Sequence, residues 1–174
     1  MKRVLAAALL VGTLLPALAT AQQIPEYDLK AAYLYNFALF VEWPPEDAPR
    51  AEISICVIGH DPFGTALDAL EGKPAHQRRI AVRRVTSLRA ARECHVLYVG
   101  APEESRAAQI HAAVRGLPVL TVGEAESGAE SAAIVTLTRR NARIGFAINV
   151  GAAHQSRLRI SSRLLRLAQE VIGE

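Results

Sequence analysis

The chain has 174 residues, 51% of them hydrophobic and 21% charged, with 20 Lys+Arg against 17 Asp+Glu. So much apolar side chain excludes a disordered polymer, and the length suits one domain able to bury a core. A basic excess this small does not mark a nucleic-acid binder, and no nucleic acid is expected as a partner.

Lys2 and Arg3 open the chain, residues 4–18 are almost wholly apolar, and Ala19-Thr20-Ala21 presents small residues in the arrangement that signal peptidase accepts. The apolar run is about 15 residues, short of the roughly 20 that span a bilayer. Gly12 and Pro16 interrupt it. Residues 1–21 are therefore expected to be a cleaved export signal, with an uncleaved anchor as the rival reading. Residues 22–174 are expected to form a single domain. Loss of Lys2 and Arg3 takes 20 basic side chains to 18 against 17 acidic, a net charge of +1.

In chain order, Asp28 is placed to cap a helix over residues 29–43 that is apolar nearly all round and is stopped by Trp43-Pro44. Residues 52–57 read as a buried strand. Asp61-Pro62 then offers a cap and a first-turn proline for a helix over 63–71. A strand over 79–85, a short helix over 88–92, a buried strand over 94–99, a helix over 103–115 and an apolar strand over 118–122 follow. This alternation predicts an α/β fold: a mostly parallel sheet flanked by helices on both faces. Residues 133–138 and 142–150 alternate in polarity around Arg139-Arg140-Asn141, the pattern of an antiparallel edge hairpin. A C-terminal helix is expected to start at Ser161 or Ser162 and bury Leu164, Leu165, Ala168, Val171 and Ile172.

Cys56 and Cys94 are the only cysteines. In an exported chain they are either a disulfide between neighbouring strands or two buried thiols. The bridge is the reading carried forward. In an open parallel sheet ligands bind beyond the carboxyl ends of the strands, which here carry Gly59-His60-Asp61, Gly100-Ala101-Pro102 and Gly123-Glu124-Ala125. His60 and Asp61 are the candidate ligand-binding pair there, against the plainer reading of a turn and a helix cap.

Arg157, Arg159 and Arg163 are candidates for holding a phosphate, a carboxylate or a partner's acidic patch, against a solvated face. Tyr35, Phe40 and Trp43, if exposed, are candidate anchors for a protein partner, against plain core packing. No Gly-rich phosphate loop, zinc-peptidase helix or nucleophile elbow occurs, and the five histidines lack ligand spacing. No catalytic residue, metal site or cofactor is assigned, and the chain is read as a binding protein and not an enzyme.

Lys30-Ala31-Ala32-Tyr33-Leu34-Tyr35-Asn36-Phe37 followed by Phe40-Val41-Glu42-Trp43-Pro44 resembles the opening signature of the YfiR family of exported proteins. Ile55-Cys56-Val57-Ile58-Gly59, Asp61-Pro62-Phe63-Gly64, Cys94-His95-Val96-Leu97-Tyr98, Phe146-Ala147-Ile148-Asn149 and residues 160–168 match it in the same order. The resemblance implies a periplasmic α/β domain, often a homodimer. The family's best-known member binds the periplasmic part of an inner-membrane diguanylate cyclase and holds it inactive, lowering cyclic-di-GMP and biofilm formation. Cys56 and Cys94 fall where the family often has a cysteine pair. Family members also stand beside sensor kinases and outer-membrane transport systems, so a sensor kinase is a possible partner and a small-molecule ligand a possible signal. Residues 127–133 depart from the pattern: they have neither the aromatic nor the Gly-Gly pair of the family, and no second cysteine pair.

Overall fold

The computed structural model describes residues 24–47, 51–100, 104–125, 131–140 and 143–173. The expected export signal and residues 22–23, 48–50, 101–103, 126–130, 141–142 and 174 lie outside the described residues. The first helix, α1, is Glu26–Phe40. Its expected cap is corrected: Asp28 sits inside the first turn, and the carbonyl of Pro25 accepts the N–H of Leu29 at 3.2 Å. Glu26 and Asp28 both stand in that first turn, where the helix dipole favours acids.

Its end is also corrected, from Trp43 to Phe40. The Phe40 carbonyl accepts the N–H of Ser161 at 2.9 Å, and the chain becomes β1, Val41–Glu42. β1 pairs antiparallel with β9, Arg159–Ile160, in a two-stranded ribbon. Tertiary pairing thus ends the helix before proline can. A 3-10 turn, Pro45–Asp47, follows.

The main sheet has eight strands. β2 is Glu52–Ile58, β4 Arg78–Val85, β5 Val96–Val99, β6 Leu120–Glu124 and β7 Val135–Arg140. These five run parallel in the spatial order β4-β2-β5-β6-β7. β3, Pro74–Ala75, closes one edge antiparallel to β4. β8, Arg143–Asn149, is antiparallel to β7, and β10, Glu170–Ile172, runs parallel to β8 at the far edge. The fold is α/β, but the sheet is mixed. The β7–β8 hairpin forms as expected; its position does not, because β10 lies outside it.

That outer strand overturns the long C-terminal helix. After one turn, α6 at Ser162–Leu165, the chain extends. The Gln169 N–H donates to the Phe146 carbonyl at 2.8 Å, and Val171 pairs with Ile148. Gly145 makes room for this return, since a Cβ there would lie 2.1 Å from the Gln169 side-chain nitrogen. The β-branched Val171-Ile172 pair suits an extended conformation better than a helix end. The helix expected over 63–71 likewise shortens to α2, Thr65–Asp68. Asp61 Oδ1 accepts from Phe63 N at 2.8 Å, making a local turn instead of the cap, and Gly64 at φ 52° leads into the helix.

Alternation along the central strands shows two packed faces. Ile53, Ile55 and Val57 of β2, with Val96 and Tyr98 of β5, join the core under α1 that contains Leu34, Phe37, Phe146 and Leu164. Cys56, Ile58, Leu97 and Val99 face the other way, against Ala91 of α3 (Leu88–Ala91) and Ile110 and Val114 of α4 (Glu104–Val114). α5 is Val150–Gln155, capped by Asn149, whose Oδ1 accepts from Ala152 N at 2.8 Å. Cys56 and Cys94 are bonded in the α3/α4 core, 0% and 4% exposed, so the reading of two free thiols is set aside.

Candidate functional site: a ribbon surface and the carboxyl ends of the strands

The β1–β9 ribbon draws together two candidate sets that lie far apart in sequence. Glu42 is registered with Arg159 and Val41 with Ile160. Arg159 Nε lies 3.7 Å from Glu42 Oε2, and Arg157 pairs with Glu46. The Arg163 guanidinium stands 5.7 Å from the centre of the Phe40 ring, within range of a cation–π contact. Phe40, Arg157, Arg159 and Arg163 therefore share one region, while Trp43 turns its ring to the buried His95 and its indole nitrogen is enclosed without a hydrogen-bond partner among the described residues. Arg159 is 84% exposed at its side chain, and Leu167 just beyond α6 is 63% exposed. Leu167 is not singled out by the sequence, which sets it in the expected C-terminal helix outside the residues expected to be buried. Tyr35 is not part of this region: its hydroxyl donates to the Pro74 carbonyl at 2.7 Å, and it fastens α1 to the β3 edge.

The ribbon is tied to the sheet through buried polar groups that no sequence pattern announced. The Ser54 N–H donates to His95 Nδ1 at 3.0 Å, so that nitrogen carries a lone pair and Nε2 carries the proton. Nε2 then donates to Asp47 Oδ2 at 2.6 Å, and Arg78 reaches the same oxygen at 3.1 Å. The Ser54 hydroxyl lies 2.8 Å from Nδ1 and accepts the His95 N–H at 3.1 Å. These residue types occur in hydrolases, but here the serine hydroxyl is committed to the histidine on both sides. What the network does is hold the 3-10 turn against the amino ends of β2 and β5. Trp43 packs edge-on to the His95 ring at 5.5 Å.

His60 and Asp61 lie at the opposite end of the sheet. The chain leaves β2 toward β4 and leaves β5 toward β6, so the switch point lies between the carboxyl ends of β2 and β5. There the two backbones touch. The Gly100 N–H donates to the Ile58 carbonyl at 2.9 Å, and a Cβ on Gly100 would lie 2.0 Å from the His60 carbonyl oxygen. A cleft of about 290 Å³ is lined by His60, Thr86, Arg106 and Ile110. Asp61 does not line it: Oδ2 accepts from Arg84 Nε at 2.8 Å. The structure thus separates the pair.

Close to the same end, Lys30 is 4% exposed and lies 2.7 Å from Glu124 and 2.6 Å from Glu26. Burial works to lower the pKa of its ammonium, but the two carboxylates outweigh that and the net shift is upward. The Tyr98 hydroxyl donates to Glu124 at 2.6 Å. Burial, and then the charge of Glu124, push its pKa far up, so it stays protonated. This network anchors the start of α1, as the Asp47–His95 pair anchors the segment after its end. Among the described residues no three His, Cys, Asp or Glu side chains are placed to hold a metal, and no helix is long and apolar enough to cross a membrane.

The opening motif thus serves both anchors: Lys30 at one end of α1, Phe40 and Trp43 at the other. A family model described as YfiR/HmsC-like (DUF4154) matches residues 27–169, which takes in α1, both networks, the ribbon and the start of the last strand's approach. On that match, covering most of its length, the chain belongs to the YfiR/HmsC-like family.

Proposed function

We propose that this protein is an exported periplasmic regulator that binds the periplasmic part of an inner-membrane signalling enzyme, in the first instance a diguanylate cyclase, and holds it inactive. Membership of a regulatory family supports this reading. The observation that carries it is the ribbon surface, which brings Phe40, Arg157, Arg159 and Arg163 together, with Trp43 packed behind it and Leu167 exposed just beyond α6. Arginine and aromatic side chains around an apolar centre are the types that dominate protein–protein binding energy. Repression follows if the inactive conformation of the partner is bound in preference to the active one.

In the same reading residues 1–21 are removed on export and the mature protein is a homodimer. The test is capture from solubilised membranes with the purified protein, with an Arg159→Glu/Arg163→Glu variant as control. A membrane signalling enzyme retained by the natural chain and lost with the variant supports the proposal. Capture of no membrane enzyme, or equal capture by both, overturns it. A second reading, a small-ligand sensor that feeds a sensor kinase or a transport system, is favoured by the cleft at the switch point.

A further inference from the structure

A separate pocket of about 260 Å³ lies between the end of α4 and α5. Its apolar lining is Val114, Val119 and Ile134, joined by Ala132 and Ala152. Its polar lining is His111, Arg115, Thr121, Gln155 and Ser156. Apolar walls with a few convergent polar groups are the usual make-up of a small-molecule site, and the volume suits about a dozen heavy atoms or fewer.

Part of the polar lining is not committed to the protein itself. His111 Nδ1 is enclosed and has no hydrogen-bond partner among the described residues. The Thr121 hydroxyl accepts from the Ile134 N–H at 2.9 Å, which leaves its proton to be donated. Ser156, also in the lining, is 6% exposed, and its backbone N–H donates to the Ala152 carbonyl at 3.1 Å. Arg115 supplies the one formal charge of the lining at neutral pH. Burial keeps the His111 imidazole neutral, so it contributes hydrogen bonding and not charge.

We propose that this pocket binds a small carboxylic acid, its carboxylate on Arg115 and its apolar body against Val114, Val119 and Ile134. An arginine with nearby hydroxyl donors suits a carboxylate through paired charge-assisted hydrogen bonds. Val114 and Val119 also belong to the core that holds the Cys56–Cys94 bridge, so occupancy is felt there by direct packing. The site adjoins the ribbon, since Ser156 of its lining directly precedes Arg157, but its assignment does not depend on the identity of any protein partner.

The test is titration of purified protein with benzoate, and with benzamide as its uncharged counterpart, followed by amide and imidazole NMR shifts. Saturable benzoate shifts confined to residues 111–121 and 152–156, with benzamide at least tenfold weaker, are expected. Arg115→Gln should bring benzoate down to the level of benzamide. No saturable shifts up to millimolar benzoate, shifts centred elsewhere, or equal affinity in Arg115→Gln would overturn the assignment.

Discussion

The Arg163 guanidinium lies 5.7 Å from the Phe40 ring centre, joining the last helix to the end of the first. The contact is worth about 0.5–1 kcal/mol at an exposed site, too little to hold the fold alone. Its consequence is placement: it sets the cationic row of β9 and α6 beside the aromatic end of α1. Charge reversal at Arg159 or Arg163 is expected to leave the melting temperature within about 2 °C of the natural protein, since exposed substitutions usually cost under about 0.5 kcal/mol. Binding to the membrane partner should fall at least tenfold, as read by surface-immobilised titration. Loss of fold together with loss of binding would place these residues in the structure and not in the interface.

Trp43 is the only tryptophan. Because it packs on His95 beside the ribbon, its fluorescence reports this surface without a label. Partner binding is expected to change its emission, whereas benzoate at the α4/α5 pocket, whose lining includes neither Trp43 nor His95, should change it less.

Replacing Asp47 with Ala leaves His95 Nε2 and the partly buried Arg78 without their carboxylate. Removing one member of a buried charged set costs about 3 kcal/mol. Urea unfolding followed at Trp43 should show the midpoint drop with little change in slope. A midpoint shift equal to that of an exposed control such as Glu52→Ala would show that the network carries no load.

The Cys56–Cys94 bridge closes a separation of 38 residues. The chain-entropy model gives about 4 kcal/mol for such a loop, or roughly 10 °C in melting temperature for a domain of this size. Calorimetry of Cys56→Ala/Cys94→Ala, or of the protein in strong reductant, measures it. Both cysteines are buried, so weak reductants should act slowly.

Burial lowers the pKa of His111 below its ordinary 6.5. The unfolded chain takes up this proton near pH 6.5 and the folded chain only at lower pH. Stability is therefore whole above about pH 6.5 and declines as pH falls from there through the folded-state pKa. His111→Gln should remove that part of the acid slope. Identical slopes in the two proteins would mean that the imidazole is freely solvated.

Much of this architecture is legible in the sequence, and the failures have common causes. Continuous apolar runs at β2, β5 and β6 need no partner to be recognised as buried strands, and the alternation around Arg139-Arg140 identifies the β7–β8 hairpin. What fails depends on a remote segment. Residues 164–172 carry apolar spacing that fits a helix, yet the free edge of β8 takes residues 170–172 into the sheet. Helix α1 stops at Phe40 because Ser161 takes its carbonyl. The site residues divide in the same way. Aromatic and arginine candidates are visible singly; that Phe40 meets Arg163 follows only from pairing of β1 with β9, and that Asp47 meets His95 only from packing of the 3-10 turn on the amino ends of β2 and β5. His111 carries no motif at all, and only the enclosed nitrogen beside a pocket marks it.

The most direct measurement is intracellular cyclic-di-GMP in a strain lacking the gene, complemented with the natural chain or with Arg159→Glu/Arg163→Glu/Leu167→Asp at equal periplasmic amounts. Deletion should raise the nucleotide severalfold, the natural chain should return it to its starting level, and the variant should leave it high. Unchanged levels on deletion, or full restoration by the variant, would contradict a repressor that works through the ribbon surface.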